Sequence, residues 1–281
     1  MNKVTNTVII AFYKRLDFLK KILEGLKEQS CRDFELIVAE DDNSPATYEF
    51  INGLRKDLPF TVKLVSHEDK GFRKNKILND ALKISLPGNI LFLDGDCIPH
   101  KHFVRHYSKN IKPGTAFFGR RVMLDEKFTS QLVGKKGIGS LNLFRLLFTG
   151  SKKIEDGLYF PLLNKTKKEY RGIWGCNWGI SLEDLQSING FDEDYVHATV
   201  GEDVDIEWRL RFRGVVFRSL KHKAIVYHLY HKENYNYDVT LKNLELFEKK
   251  KLLQNSVCRN GLNKIPNIHG FLSCRTSYNL E

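Results

Sequence analysis

The sequence predicts an α/β protein, with a mostly parallel sheet flanked by helices and a smaller lobe toward its carboxyl half. Three observations predict it. The first hundred residues alternate between short β-branched apolar runs and segments whose apolar residues recur every three or four positions. The strand-type runs are apolar throughout, as expected of strands buried on both faces. At 281 residues, with 42% hydrophobic and 28% charged content, the chain can bury a large core without disulfide staples.

Taken in order, Thr7 to Phe12 is a strand. Arg15 to Gln29 is a helix, with Leu16, Leu19, Ile22, Leu23 and Leu26 on one face. Phe34 to Ala39 is a second strand. Ala46 to Lys56 is a helix opened by Ser44 and Pro45, a cap and a first-turn proline. Phe60 to Ser66, Asn75 to Ser85 and Asn89 to Leu93 continue as strand, helix, strand. Beyond them the pattern loosens. Ala116 to Leu124 and Trp174 to Ser181 read as strands, Glu202 to Arg213 as a helix, Ala224 to Leu229 as a last strand and Asp238 to Gln254 as a charged helix. The segment from Asn255 to Glu281 is weakly specified.

No apolar run reaches the ~18 residues needed to cross a bilayer. Met1 to Ala11 lacks the build of a signal peptide. The five cysteines form no C-x-x-C pair. A cytosolic protein is expected. With 45 Lys and Arg against 34 Asp and Glu, the net charge is +11, and the pI is about 9.3. That charge calls for an anionic partner without choosing among nucleic acid, anionic lipid and phosphorylated substrate.

Ligands of parallel α/β sheets sit at the carboxyl ends of the strands, which directs attention to four segments. Asp94-Gly95-Asp96 follows a buried-type strand and offers two hard oxygen ligands suited to Mg²⁺ or Mn²⁺ shared with a diphosphate. The same D-x-D spacing at Asp192-Asp194 and Asp203-Asp205 lacks that context. Glu40-Asp41-Asp42 crowds three acids at a strand end, either as a solvated turn or as a site for a donor-rich ligand. Lys70 to Lys76 sets cations at the start of a helix, either as a surface basic loop or as a place where phosphate oxygens can bind. Tyr13 to Arg15 closes the first strand.

Further along, Glu202 and Asp203 precede a helix, as dipole-complementing caps or as a held carboxylate base. His228 and His231 end the last strand and could complete a carboxylate metal site. His100, His102 and His106 read as a solvated helix face. Trp178 reads as a sugar platform and Trp174 as core. Gly134 to Gly139 meets neither the Walker nor the dinucleotide spacing. The apolar stretch Leu141 to Phe148, flanked by lysines, fits either an anionic membrane surface or a buried helix.

In this order and spacing the segments resemble a family 2 glycosyltransferase with the GT-A (Rossmann-like) fold, over about Thr7 to His231. The run Gly190-Phe191-Asp192, then Gly201-Glu202-Asp203-Val204-Asp205 and Arg209-Leu210, is similar to galactosyl- and N-acetylgalactosaminyltransferases of the bacterial chondroitin-polymerase type. The resemblance implies a catalytic domain over residues 1–231, with a nucleotide-binding half (1–99) and an acceptor and catalytic half (100–231), followed by a helix and tail (232–281). It implies a UDP-sugar donor, contacted by Tyr13, Arg15, Asp41 or Asp42 at uracil, and Asp94 at the ribose. Asp96, with His228 or His231, would hold Mn²⁺ or Mg²⁺. Asp203 would be the catalytic base and Glu202 would hold the acceptor. Asn177, Trp178 and Gly179 would line the sugar.

Where many relatives carry Ala-Arg-Asn-x-Gly, this chain reads Lys76-Ile77-Leu78-Asn79-Asp80. Arg73 or Lys76 is therefore expected at the phosphates. The implied activity is inverting transfer of a hexose or N-acetylhexosamine to a glycan or lipid-linked glycan, in bacterial surface polysaccharide or lipopolysaccharide synthesis, by an enzyme peripheral to the inner face of the cytoplasmic membrane. A non-catalytic sugar-nucleotide binder or a basic nucleic-acid-binding protein is the alternative. The chain shows no recognisable nucleic-acid module, so no nucleic acid is expected.

Overall fold

A computed structural model describes residues 5–134, 136–162, 172–197, 200–232 and 237–266. The element order is β1 (Asn6–Phe12), α1 (Leu16–Lys27), β2 (Glu35–Glu40), α2 (Pro45–Leu54), β3 (Val62–Ser66), α3 (Lys74–Lys83) and β4 (Asn89–Asp94). Then come β5 (Cys97–Pro99), α4 (Phe103–Asn110), β6 (Thr115–Phe118), β7 (Arg120–Met123), α5 (Glu126–Gly134) and α6 (Leu143–Leu146). The last are β8 (Asn177–Ser181), α7 (Leu182–Ser187), α8 (Val204–Phe212), β9 (Val216–Ser219), β10 (Ile225–His228) and α9 (Tyr237–Leu252). Among the sequence-expected elements, the first four strands and three helices stand within a few residues of their expected bounds. Beyond residue 266, the expected tail lies outside the described residues.

Seven strands form the main sheet in the order β3-β2-β1-β4-β8-β6-β9. The first four are parallel, in register from Thr7 opposite Glu35 to Ala11 opposite Asp94. β8 runs antiparallel to both neighbours, and β6 and β9 are parallel to each other. Period-two alternation splits β1 between two cores: Val8, Ile10 and Phe12 pack on the α1 face, and Ile9 on the α3 face. The apolar stripe of α1, Phe18, Leu19, Ile22, Leu23 and Leu26, is buried against the first of these.

A second sheet, β5-β10-β7, packs beside the first. β10 is antiparallel to β5, with His228 opposite Cys97, and parallel to β7. Two glycines allow the chain to pass between the sheets. Gly95 joins β4 to β5 and donates its N–H to the Ala11 carbonyl at 2.8 Å. A Cβ there would stand 2.9 Å from that carbonyl oxygen, so the glycine is required by backbone packing. Gly119 divides the expected strand Ala116 to Leu124 into β6 and β7, which lie in different sheets. A strand that changes sheets must bend, and here the bend lies against fixed groups. A Cβ on Gly119 would meet the Ala224 carbonyl oxygen at 2.1 Å and the Asn177 side-chain amide at 2.4 Å.

The three histidines at the start of α4 are not the solvated face that the sequence suggests. His100 and His102 pack on the Tyr159 ring, with centroids 4.7 and 4.9 Å away, and His106 Nε2 lies 3.0 Å from its hydroxyl. Burial, reinforced by neighbouring positive charge, moves His100 and His106 down to about 4, so both are neutral at physiological pH.

Gly119→Ala is expected to destabilise the protein by about 3 kcal/mol, through a side chain forced into backbone and amide atoms that cannot retreat. A denaturant melt against wild type measures it. An unchanged midpoint would mean that the sheet junction is softer than its geometry requires.

Candidate active site

The carboxyl ends of β1, β2 and β4 open onto a cleft of about 590 Å³, lined by Tyr13, Arg15, Asp41, Asp94, Asp96 and His231 among others. At one end stands a set of side chains that could hold a metal ion. Asp96 Oδ2 lies 3.4 Å from His228 Nε2 and 3.1 Å from His231 Nε2, and one donor atom of each residue falls within 4.8 Å of the others. Two sheets are needed to build it, because Asp96 leads into β5 and His228 ends β10 directly opposite. Burial alone would raise the Asp96 pKa, but its contacts with His228 and His231 outweigh that and hold it well below the usual carboxylate range. An ionised carboxylate beside two imidazoles fits a hard or borderline divalent cation.

At the other end three acids converge on one cation. Lys74 Nζ donates to Asp94 Oδ1 at 2.7 Å and to Glu202 Oε1 at 3.1 Å. Burial opposes the charge of Lys74, but Asp94, Glu202 and Asp203 overcome it and hold the lysine protonated. Asp203 caps α8 without a side-chain capping bond. Its Oδ1 is buried and unpartnered, and so is Glu202 Oε2. Burial and the repulsion of Glu202 push Asp203 up to about 8, which poises it to take a proton near neutrality. The adjoining backbone admits it only through Gly175, where a Cβ would lie 2.8 Å from Asp203 Oδ1.

Asp41, rather than Asp42, lines the cleft. Its oxygens accept from the Arg73 backbone amide at 2.7 Å and lie 2.6 Å from His67 Nε2. Asp42 instead caps its own turn, accepting from the Asn43 amide at 2.8 Å. Tyr13 is exposed and donates to Asp69 at 3.1 Å, while Arg15 pairs with Asp17 at 2.7 Å over the Phe18 ring.

Several expectations are corrected by this geometry. Lys76 points away from the cleft and pairs with Asp80. The Arg73 guanidinium folds back onto the Glu68 carbonyl. The cation at the carboxylates is Lys74, and the sequence held its signal: Lys74, Ile77, Leu78 and Ala81 share a helical face whose three apolar members are buried. His67, beside Asp41, was missed because a lone histidine after a strand carries no motif.

The two tryptophans exchange roles. Trp178 is 1% exposed and stacks on Phe92, with ring centroids 4.5 Å apart. Trp174 is 37% exposed. Asn177 is buried too, donating to the Arg120 and Ala224 carbonyls and accepting from the Tyr107 hydroxyl. Gly179 is packed on Tyr107 and Ile111. Asn177 and Gly179 brace the site from the core, while Trp178, though almost wholly buried, lines the small pocket beside Asp203.

In the other D-x-D pairs, Asp205, Asp192 and Asp194 are structural. Asp205 forms a buried pair with Arg209 at 2.7 Å. Asp192 and Asp194 both hold Lys250 of α9.

Comparison with known proteins agrees with this architecture. Residues 7–188 match the family model "Glycosyl transferase family 2", and residues 163–232 match "N-terminal domain of galactosyltransferase". The chain belongs to glycosyl transferase family 2. A search of curated proteins finds no significant match.

Among solved structures, the chain is similar to a mannosyltransferase from Pyrobaculum calidifontis in complex with GDP-Man and Mn²⁺, at 15% identity and a TM-score of 0.58, over 90% of this chain and 65% of that one. It is similar to S. aureus TarS 1-349 in complex with UDP-GlcNAc, at 16% identity and a TM-score of 0.57, over 88% of this chain and 66% of that one. It is also similar to GalNAc-T7 with UDP, GalNAc and Mn²⁺, at 19% identity and a TM-score of 0.60, over 88% of this chain and 48% of that one. The chain thus spans less than two thirds of the length of each of these structures, and at these identities the likeness establishes the GT-A fold.

Two predictions follow from the carboxylate cluster. The folded state keeps the Asp203 proton up to about pH 8, whereas an unfolded aspartate releases it near 3.8. The folded state therefore binds more protons across that window, and the stability Asp203 contributes is full below pH 4 and lost as pH rises to about 8. Asp203→Asn should match wild type at pH 4 and exceed it by about 2 kcal/mol at pH 8 to 9, as read by thermal melts across pH. Lys74→Met should do the reverse. Loss of the shared cation should cost about 3 kcal/mol at pH 8 and much less at pH 4, where the acids take up protons.

Proposed function

We propose that this protein is an inverting, metal-dependent glycosyltransferase that moves a hexose or N-acetylhexosamine from a UDP-sugar to a hydroxyl of a glycan or glycolipid. The observation that carries the reading is a cleft that holds Asp96 and His231 of the donor set and shares Lys74, Asp94 and Glu202 with the small adjoining pocket of the half-buried base candidate Asp203. The complexes in which the structural neighbours were solved, two with UDP or UDP-GlcNAc and two with Mn²⁺, support a nucleotide-sugar donor and a divalent cation.

In this reading Asp41 receives the uracil and Asp94 the ribose. Asp96, His228 and His231 would hold Mn²⁺ or Mg²⁺, which when bound offsets the negative charge of the diphosphate. Asp203 takes the proton of the acceptor hydroxyl, and Glu202, anchored by Lys74, orients the acceptor beside it. A poor hydroxyl nucleophile benefits from a carboxylate whose pKa lies near the working pH. Direct attack on an α-linked donor then gives a β-linkage. The catalytic unit extends over residues 1–231, its first 99 residues forming the nucleotide half, with residues 232–281 added to it.

Bacterial surface polysaccharide or lipopolysaccharide synthesis at the inner face of the cytoplasmic membrane is the setting that suits such an enzyme. No helix among the described residues is long and apolar enough to cross a membrane. A peripheral contact is supported by Phe144, Leu147 and Phe148, exposed at 71, 61 and 78%, beside Arg145 and Lys152.

The test is UDP release from a panel of UDP-sugars, with Mn²⁺, with Mg²⁺ and with EDTA. One donor should be turned over, with activity lost in EDTA and in Asp96→Asn. Asp203→Asn should lower transfer by about 100-fold or more while leaving UDP binding intact. No release from any donor, with no UDP-dependent thermal shift, would remove the nucleotide-sugar reading.

A further inference from the structure

One residue along the chain from Gly175, which touches the base candidate, the Trp174 ring carries two cations. The Arg121 guanidinium lies 4.4 Å from its centroid and Lys153 Nζ also 4.4 Å. Neither cation has a carboxylate partner among the described residues. Arg121 has only a long contact from Nη1 to the Cys176 sulfur, at 3.8 Å, and its Nε is buried with no hydrogen-bond partner. Buried guanidinium N–H groups without an acceptor are costly, so an arginine held this way is set for a ligand not yet in place.

The backbone is also strained to bring Lys153 there. Its φ is 57°, in the left-handed region that a lysine avoids, and the neighbouring Lys152 is fixed by an antiparallel bridge to Met123 of β7. β7 pairs in register with β10, so Arg121 and Met123 lie on the same face of the small sheet as His228.

A cavity of about 490 Å³ opens at this point, lined by Trp174, Lys153, Arg120, Lys221, Glu155 and Asp156. Asp156 is engaged by Lys221 at 3.7 Å, and Glu155 is exposed at the rim. Three cations, Arg120, Lys153 and Lys221, line it with two acids, and Arg121 lies on the Trp174 ring that forms part of the wall. The balance favours an anion, and Gly175, next along the chain from Trp174, adjoins Asp203, which in the glycosyltransferase reading marks the acceptor side.

We propose that Arg121, Trp174 and Lys153 form an acceptor subsite that recognises an oxyanion, a uronate carboxylate or a phosphate ester, on the sugar chain being extended. The inference rests on the glycosyltransferase reading and names its substrate class. Arg121 supplies a planar fork of N–H donors to the oxyanion. Lys153 adds a point charge. Trp174 holds both by cation–π contact, without neutralising them as a carboxylate would.

The test measures binding of matched probes to the full chain with UDP and Mn²⁺ present: methyl glucuronide against methyl glucoside, and glucose 6-phosphate against glucose. Ligand-observed NMR titration reads each affinity. The wild type should prefer at least one anionic member of a pair by tenfold or more. Which pair shows the preference tells carboxylate from phosphate. Arg121→Gln and Lys153→Gln should each cut that preference at least fivefold while leaving UDP affinity unchanged. UDP binding with no anionic preference in either pair would sink the subsite alone. So would a preference that survives both substitutions, and a loss of UDP affinity in Arg121→Gln would reassign that arginine to the donor. Failure of the wild type to bind UDP at all would sink the transferase reading, and the acceptor role with it.

Discussion

The site depends on one ammonium group. Asp94 at the end of β4, and Glu202 and Asp203 at the start of α8, come from distant parts of the sequence and would repel one another at close quarters. Lys74, at the first position of α3, is bonded to two of them and lies close to the third. A single cation among three carboxylates cannot neutralise all three. The deficit falls on Glu202 and Asp203, each with a buried unpartnered oxygen and a raised pKa, Asp203 up to about 8. The same arrangement that permits the acids to gather thus raises their proton affinity, which is the property that the base role proposed for Asp203 requires.

The second organising feature is the seam between the sheets. Parallel strands in one sheet can bring Asp41 and Asp94 to a common edge, but the candidate metal site of Asp96, His228 and His231 needs a second direction of approach. Gly95 turns the chain out of the main sheet directly after Asp94, so that Asp96 faces His228 across the short β5–β10 pairing. Gly119 makes the corresponding passage from β6 to β7, and Asn177 of the main sheet ties the seam together by donating to the carbonyls of Arg120 at the start of β7 and Ala224 just before β10. The Asn177-Trp178-Gly179 segment is therefore distinctive in sequence for a structural reason: it forms a central reversed strand whose two faces support the cleft from below.

Charge patterns that look alike in sequence separate in the same way. Of three D-x-D pairs, one opens onto the cleft, one clamps α9 through Lys250, and one contributes Asp205 to a fully buried pair with Arg209, whose guanidinium also serves the Ile188 and Gly190 carbonyls. The basic excess of the chain is likewise divided. Some of it is consumed in such pairs, and some, at Arg121 and Lys153, is held on an aromatic ring with its charge available.

The sequence by itself determined the α/β class, the first four strands and three helices, the family likeness, and the segments that carry Asp41, Asp94, Asp96, Asp203, His228 and His231. These were legible because local periodicity sets strand and helix, and because strand ends are where this architecture places ligands. Tertiary structure alone decided the rest. It chose Asp41 over Asp42 as the residue that lines the cleft, buried Trp178 and exposed Trp174, turned Lys76 outward, and set Lys74 among the acids. The physical reason is that each of these outcomes depends on which face of an element meets which neighbour. A one-residue change along a helix rotates a side chain by about 100°, and along a strand by about 180°. Composition and motif spacing constrain that rotation weakly, whereas packing against a second sheet and a distant helix leaves it no freedom.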